Sequence, residues 1–175
     1  MKESVIIVDD NGRSIGVAEK LEAHYSGFLH RAFSIFVFNG KGQLLLQQRA
    51  ADKYHSAGLW TNTCCSHPRL EEATIDAAHR RLKEEMGFDC DLTELFQFTY
   101  RHEFENGLIE HEFDHVFLGL SDQLPEPDLV EVADFKYINI DTLINELAEH
   151  PEKYTPWLKI CVGQVIENYN QINYL

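Results

Sequence analysis

The sequence predicts a mixed α/β fold, a mixed β-sheet with helices packed on it, and three observations lead there. The run His30 to Asn39 (HRAFSIFVFN) is aromatic and β-branched at consecutive positions, the pattern of a strand covered on both sides. Ile75, Ala78, Leu82 and Met86 recur at helical spacing in the middle of the chain. Two strand-like runs flank Glu105-Asn106-Gly107, a hairpin signal, so part of the sheet is antiparallel while helices interleave elsewhere.

Taken in order, Asn39-Gly40-Lys41-Gly42 reads as a turn, and Gln43 to Arg49 is expected to return as the partner of the first strand. Ala50 to Leu70, punctuated by Gly and Pro, is expected to be irregular. The next helix has Glu71 and Glu72 near its positive N-terminal end and Gly87 to close it. Leu92 to His102 and Leu108 to Leu120 are the hairpin strands. Pro125 and Pro127 mark a loop, and a short strand is expected near Phe135 to Ile138. Two helical segments follow, about Asp141 to Glu149 and Pro156 to Asn168. With no repeat, low-complexity stretch or linker, all 175 residues are expected to form one domain.

The composition, 44% hydrophobic and 25% charged, is that of an ordinary folded protein. Met1 to Asp10 holds one lysine, three acids and only four consecutive apolar residues, which predicts neither a signal peptide nor an anchor. No apolar run approaches the length that crosses a bilayer, so no membrane partner is expected. The net charge of −14 argues against nucleic-acid binding, which needs clustered Lys and Arg. A phosphate substrate would meet an opposing bulk field, which bound metal and a few local cations must reverse. The four cysteines contain no C-x-x-C pair, so a reducing cytoplasm is the expected location.

Three clusters carry potential chemistry. Period-two geometry puts Glu110, Glu112 and Asp114 on one face of their strand, where two carboxylates can share an ion or simply meet solvent. His24, His30 and His67 lie elsewhere in the chain; three imidazoles and two carboxylates would suit Zn, Mn or Fe(II), although no short spacing ties them together. Cys65, two residues before His67, is either a small buried hydrophobe or a thiol acting as acid or base from a loop. Arg81 and Glu85 are helical neighbours, either a surface ion pair or a phosphate-binding cation beside a Mg²⁺-binding carboxylate.

Those residues also carry a family resemblance. Glu72, Arg80, Glu84, Glu85 and Gly87 match the Nudix box G-x5-E-x7-R-E-U-x-E-E-x-G-U (U aliphatic), while Ser66 replaces its opening Gly and Arg81 replaces the Glu after the Arg. A Nudix hydrolase assembles metals for attack by water on that acidic helix, so both departures count against hydrolysis. Together with WTNTCCSHP, HRAFSIFVFN, QQRAADK, Tyr100, Gly107 to Glu112 and Thr155-Pro156-Trp157, they resemble the type I isopentenyl diphosphate isomerases.

The resemblance implies a Nudix-like mixed sheet sandwiched by helices, with a core of about residues 30–150. It implies a Mn²⁺ or Zn²⁺ site of His24, His30, His67, Glu110 and Glu112, and a Mg²⁺ held by Glu85 against the diphosphate. Cys65 and the Glu112–Tyr100 pair would transfer protons, and Arg49, Lys53 and Arg81 would hold the diphosphate. Trp157 or Trp60 would wall off the carbocation. Isopentenyl and dimethylallyl diphosphate are the implied ligands, bound by a monomer or weak homodimer. Two rivals remain: a Nudix pyrophosphohydrolase acting on a nucleoside diphosphate derivative, and a non-enzymatic module with a structural metal.

Overall fold

The computed structural model describes residues 3–173. A hairpin of β1 (Ser4–Val8) and β2 (Ser14–Glu19) leads into α1 (Lys20–Ser26), followed by β3 (His30–Phe38) and β4 (Gln43–Arg49). Two short strands, β5 (Trp60–Thr61) and β6 (Cys64–Ser66), precede α2 (Thr74–Met86). The long hairpin of β7 (Leu92–Glu103) and β8 (Ile109–Leu120) comes next. The chain ends with β9 (Val132–Asn139), α3 (Ile140–Glu149), a short 3-10 turn (Pro151–Lys153) and α4 (Pro156–Asn173).

The sheet is mixed, as expected, and β3 is its hub. β3 runs parallel to β8 over nine residue pairs, from His30↔Glu112 to Phe38↔Leu120, and antiparallel to β1 and β6. Its two faces meet different helices. Phe36 and Phe38 join Leu158, Val162 and Val165 of α4 and Leu143 of α3. Phe33, Ile35 and Val37 join Ala77, Ala78, Leu82 and Met86 of α2. Burial on both faces is why this strand reads as an unbroken apolar run.

Several expectations need correction. β4 is not the main partner of β3: they pair only at Phe38↔Leu44 and then diverge, and β4 pairs along its length with β9. The stretch from Ala50 to Leu70 is not wholly irregular, because β5 and β6 fill the fork, β5 on β4 and β6 on β3. Cys65 therefore stands on a strand, not in a loop. The β1–β2 hairpin and α1 were unanticipated; β2 is mostly exposed, its alternating Ile15 and Val17 included. Finally, β9 starts three residues before Phe135, and α4 continues five residues beyond Asn168.

Polar side chains hold the fork open. Thr63 Oγ1 accepts from Val37 N at 2.9 Å and donates to Leu45 O at 2.7 Å, satisfying one backbone group on each diverging strand. Asn62 Nδ2 donates to Ile35 O and Cys64 O, and Gln47 Nε2 donates to Thr63 O. α2 stops where predicted: Gly87 has φ 76°, and a Cβ there would lie 2.4 Å from Glu126 O. Among the described residues no helix is long and apolar enough to cross a membrane.

Candidate active site

Strand register assembles the site. Glu112 is paired with His30 on one side and with Tyr100 of β7 on the other, so all three share one face of the sheet. Cys65 is paired with Ser34, an even step along β3 from His30, and therefore stands on that same face across β3 from Glu112. Cys64 takes the opposite face and is buried against α2. The face opens into a cavity of about 460 Å³ lined by Arg49, Lys53, Cys65, Arg81, Glu85, Tyr100, Glu110, Glu112 and Trp157, with His55 and His67.

At one end the imidazoles converge. His24, in the last turn of α1, and His30 are fully buried, and each donates Nδ1–H to a backbone carbonyl, Lys20 O at 2.6 Å and Phe28 O at 2.8 Å. Those bonds orient both rings and aim Nε2 at the carboxylates. His24 Nε2 lies 3.3 Å from Glu110 Oε1, and His30 Nε2 lies 3.6 Å from Glu112 Oε1. His67 Nε2 is hydrogen-bonded to Glu112 Oε1 at 2.9 Å. The Nε2 atoms of His24 and His30 and Oε2 of Glu110 are buried without a hydrogen-bond partner. Unpaired imidazole nitrogens and a carboxylate oxygen together fit a divalent cation.

The expected five residues fall into two overlapping groups. Ligand atoms of His24, His30, His67 and Glu112 lie within 4.8 Å of one another, and Glu110 groups with His24 and with His55. His55, 2.5 Å from Glu110 through Nε2, was not anticipated; a lone histidine in an apparently irregular stretch has no spacing to betray it. Asp114, the third acid of the row, belongs to neither group. It is buried and accepts from Ser34 Oγ at 2.7 Å, and burial together with Glu112 pushes its carboxyl well above the usual range.

Electrostatics separates the two glutamates from the thiol and the phenol. Burial pushes the Glu110 carboxyl up, but His24 and His55 outweigh it and hold it well below the usual range. Burial and Glu110 likewise raise Glu112, and the imidazoles of His30 and His67 bring it down. Burial lowers His67 to about 4, keeping it neutral. Tyr100 OH donates to Glu112 Oε2 at 2.6 Å, and burial with the neighbouring carboxylates pushes the phenol well up. Burial pushes the Cys65 thiol to about 12, against the pull of Arg49.

The other end of the cavity gathers the basic side chains Arg49, Lys53 and Arg81 beside the acids Glu85 and Glu131. Arg81 contacts Glu85 at 2.5 Å, Glu84 at 2.9 Å and Glu131 at 3.5 Å, so it is no simple surface pair. Lys53 also pairs with Glu131, an acid that was not anticipated. Arg49 lies 5.3 Å over the Trp157 ring, whose Nε1 donates to Thr61 Oγ1 at 2.9 Å. Trp60 is excluded as the aromatic wall, because its ring packs under Lys136 rather than lining the cavity. Lys20 lines the cavity as well and had not been singled out.

The profile of the NUDIX domain family matches residues 28–158. A solved structure from Deinococcus radiodurans superposes with a TM-score of 0.78 over 93% of this chain and 98% of its own, at 17% identity. The MutT protein of Methanosarcina mazei gives 0.64 over 83% and 95%, at 15% identity, and both likenesses show the fold alone. Sequence relatives are nearer. Isopentenyl-diphosphate Delta-isomerase 2 of Aromatoleum aromaticum is 52% identical over 95% of this chain and 88% of its own length. The isopentenyl-diphosphate Delta-isomerase of Burkholderia multivorans is 54% identical over 93% and 92%. The chain belongs to the Nudix family and, within it, to the isopentenyl-diphosphate Delta-isomerases.

Proposed function

We propose that this single domain interconverts isopentenyl and dimethylallyl diphosphate, moving a double bond by adding one proton and removing another. The observation that carries the reading is the placement of the Cys65 thiol and the Tyr100–Glu112 pair on opposite flanks of β3, facing one cavity. An unactivated alkene needs an acid on one side and a base on the other, because the intermediate tertiary carbocation is flat.

In the forward direction one of the two groups delivers a proton to the terminal methylene carbon, leaving positive charge on the branched carbon. The other removes a proton from the methylene between the cationic carbon and the diphosphate-bearing carbon, and the electron pair of that C–H bond closes the new double bond. The roles exchange when the reaction runs backwards. The raised thiol keeps Cys65 protonated at neutral pH. Trp157 excludes water and faces the cation with its ring, worth about 2 kcal/mol when desolvated.

Arg49, Lys53 and Arg81 hold the diphosphate, with Glu85 offering a carboxylate for Mg²⁺. His24, His30, His67, Glu110 and Glu112 hold a second divalent ion, Mn²⁺ or Zn²⁺, which when bound fixes the Glu112 carboxylate and tunes its proton affinity. The change to Arg81 within the Nudix pattern favours anion binding over activation of water.

Incubating the protein with isopentenyl diphosphate and Mg²⁺ in deuterated water tests this. Dimethylallyl diphosphate carrying deuterium in a methyl group is expected, without phosphate release. Absence of that product, or product free of deuterium, overturns the reading; released phosphate points to a hydrolase.

A further inference from the structure

His55 faces the cavity, yet the proton transfers and diphosphate contacts leave it without a task. Its side chain is 3% exposed. The ring stacks on Phe104 with centroids 4.6 Å apart and meets Tyr54 and Trp157 edge-on, so its direction is fixed. Nε2 is thereby brought 2.5 Å from Glu110 Oε1, but it makes no hydrogen bond. Glu110 Oε2 and His24 Nε2 are also unpartnered at the same point. Leaving several buried donors and acceptors unpaired together is unfavourable, and a shared cation resolves all of them.

The donor atoms of His24, His55 and Glu110 lie within 4.8 Å of one another. Ligands about 2.0–2.2 Å from one ion span at most roughly twice that, so a small inward shift seats all three on it. His24 is common to this group and to the group of His30, His67 and Glu112. We propose that His55 is itself a ligand of the metal centre, binding through Nε2 beside His24 and Glu110 and adding a fourth imidazole. This rests on the reading that the cluster holds a divalent cation. Four imidazoles with two carboxylates select an ion of the Mn²⁺-to-Zn²⁺ series over Mg²⁺.

The rival role is positioning, in which His55 keeps a proton on Nε2 and donates it to Glu110. Long-range ¹H–¹⁵N correlation spectra of the full chain, labelled at histidine, separate the two with Zn²⁺ as a diamagnetic probe. The His55 ring is assigned from its nuclear Overhauser contacts to Phe104, and checked by its disappearance in His55→Gln. The expected result is that His55 Nε2 shifts on adding zinc together with Nε2 of His24, His30 and His67. His55→Gln is expected to weaken zinc binding at least about tenfold. If His55 Nε2 stays protonated while the other three respond, the proposal is overturned and the metal reading stands. If no imidazole responds to zinc, the metal reading falls and the proposal with it. The wild-type spectrum decides both points even if the variant does not fold.

Discussion

Cys64 and Cys65 are adjacent and chemically the same, but the pleat of β6 sends them to opposite faces of the sheet. Cys64 packs among Phe33, Ile35 and Leu82 and behaves as a small hydrophobe. Cys65 faces the cavity with a thiol that burial keeps protonated. Opposite responses to the same truncation are therefore expected. Cys65→Ala should lower kcat by about 10²–10⁴-fold, the range of a general acid or base, with little change in thermal stability. Cys64→Ala should keep kcat within a few fold yet lose about 1–2 kcal/mol of stability through the void it leaves. Product formation and urea denaturation, measured on both variants, check the pair; equal loss of kcat in the two would remove Cys65 from proton transfer.

At the scale of elements, the two widest patterns were legible and the shortest were not. α2 announced itself through Ile75, Ala78, Leu82 and Met86, and β8 through the Glu110, Glu112, Asp114 row, because each repeats its period several times. β5 and β6 have two and three residues, too few for any period, and β3 and β4 diverge because Thr63 and Asn62 occupy the fork between them. His55 and Glu131 reach the site only through tertiary packing, so nothing in their local sequence marks them. The fork gives a direct test: Thr63→Val keeps the shape but strands Val37 N and Leu45 O. A loss of about 2–4 kcal/mol is expected in urea denaturation, with both of these buried backbone groups left unpaired. α2 gives another. Arg80 donates to both carboxylate oxygens of Glu72, at 2.7 and 2.8 Å, and that bond holds the Glu72 carboxyl below its ordinary 4.5. A depressed carboxyl stabilises the fold above its unfolded value and loses that contribution as pH falls through the folded one. Wild type should therefore be more stable than Glu72→Gln at pH 7, and the gap should close as pH falls below about 4.5. A gap that persists unchanged at pH 3 would assign the effect to something other than the ion pair.

For the whole molecule the issue is sign. The chain carries a net charge of −14, yet its proposed ligand is a diphosphate, so the long-range field repels what the cavity holds. The two contributions respond differently to salt. Acidic residues spread over the surface are screened beyond a Debye length of about 10 Å at 0.1 M ionic strength. Lys53 and Arg81 are only 24% and 19% exposed at their side chains, and the Arg49 guanidinium is covered by Trp157, so their attraction at contact is screened much less. Raising KCl from 10 to 100 mM at constant free Mg²⁺ should then remove more repulsion than attraction. An increase in kcat/KM of about two- to threefold is expected, carried by KM rather than kcat. Neutralising Arg81 as Arg81→Met should raise KM at every salt concentration while leaving the upward slope intact, because the slope belongs to the surface and not to the cavity. If kcat/KM instead falls steadily with salt, the decisive cations lie on the exposed surface, and the division between a screened acidic exterior and contact cations sheltered in the cavity is wrong.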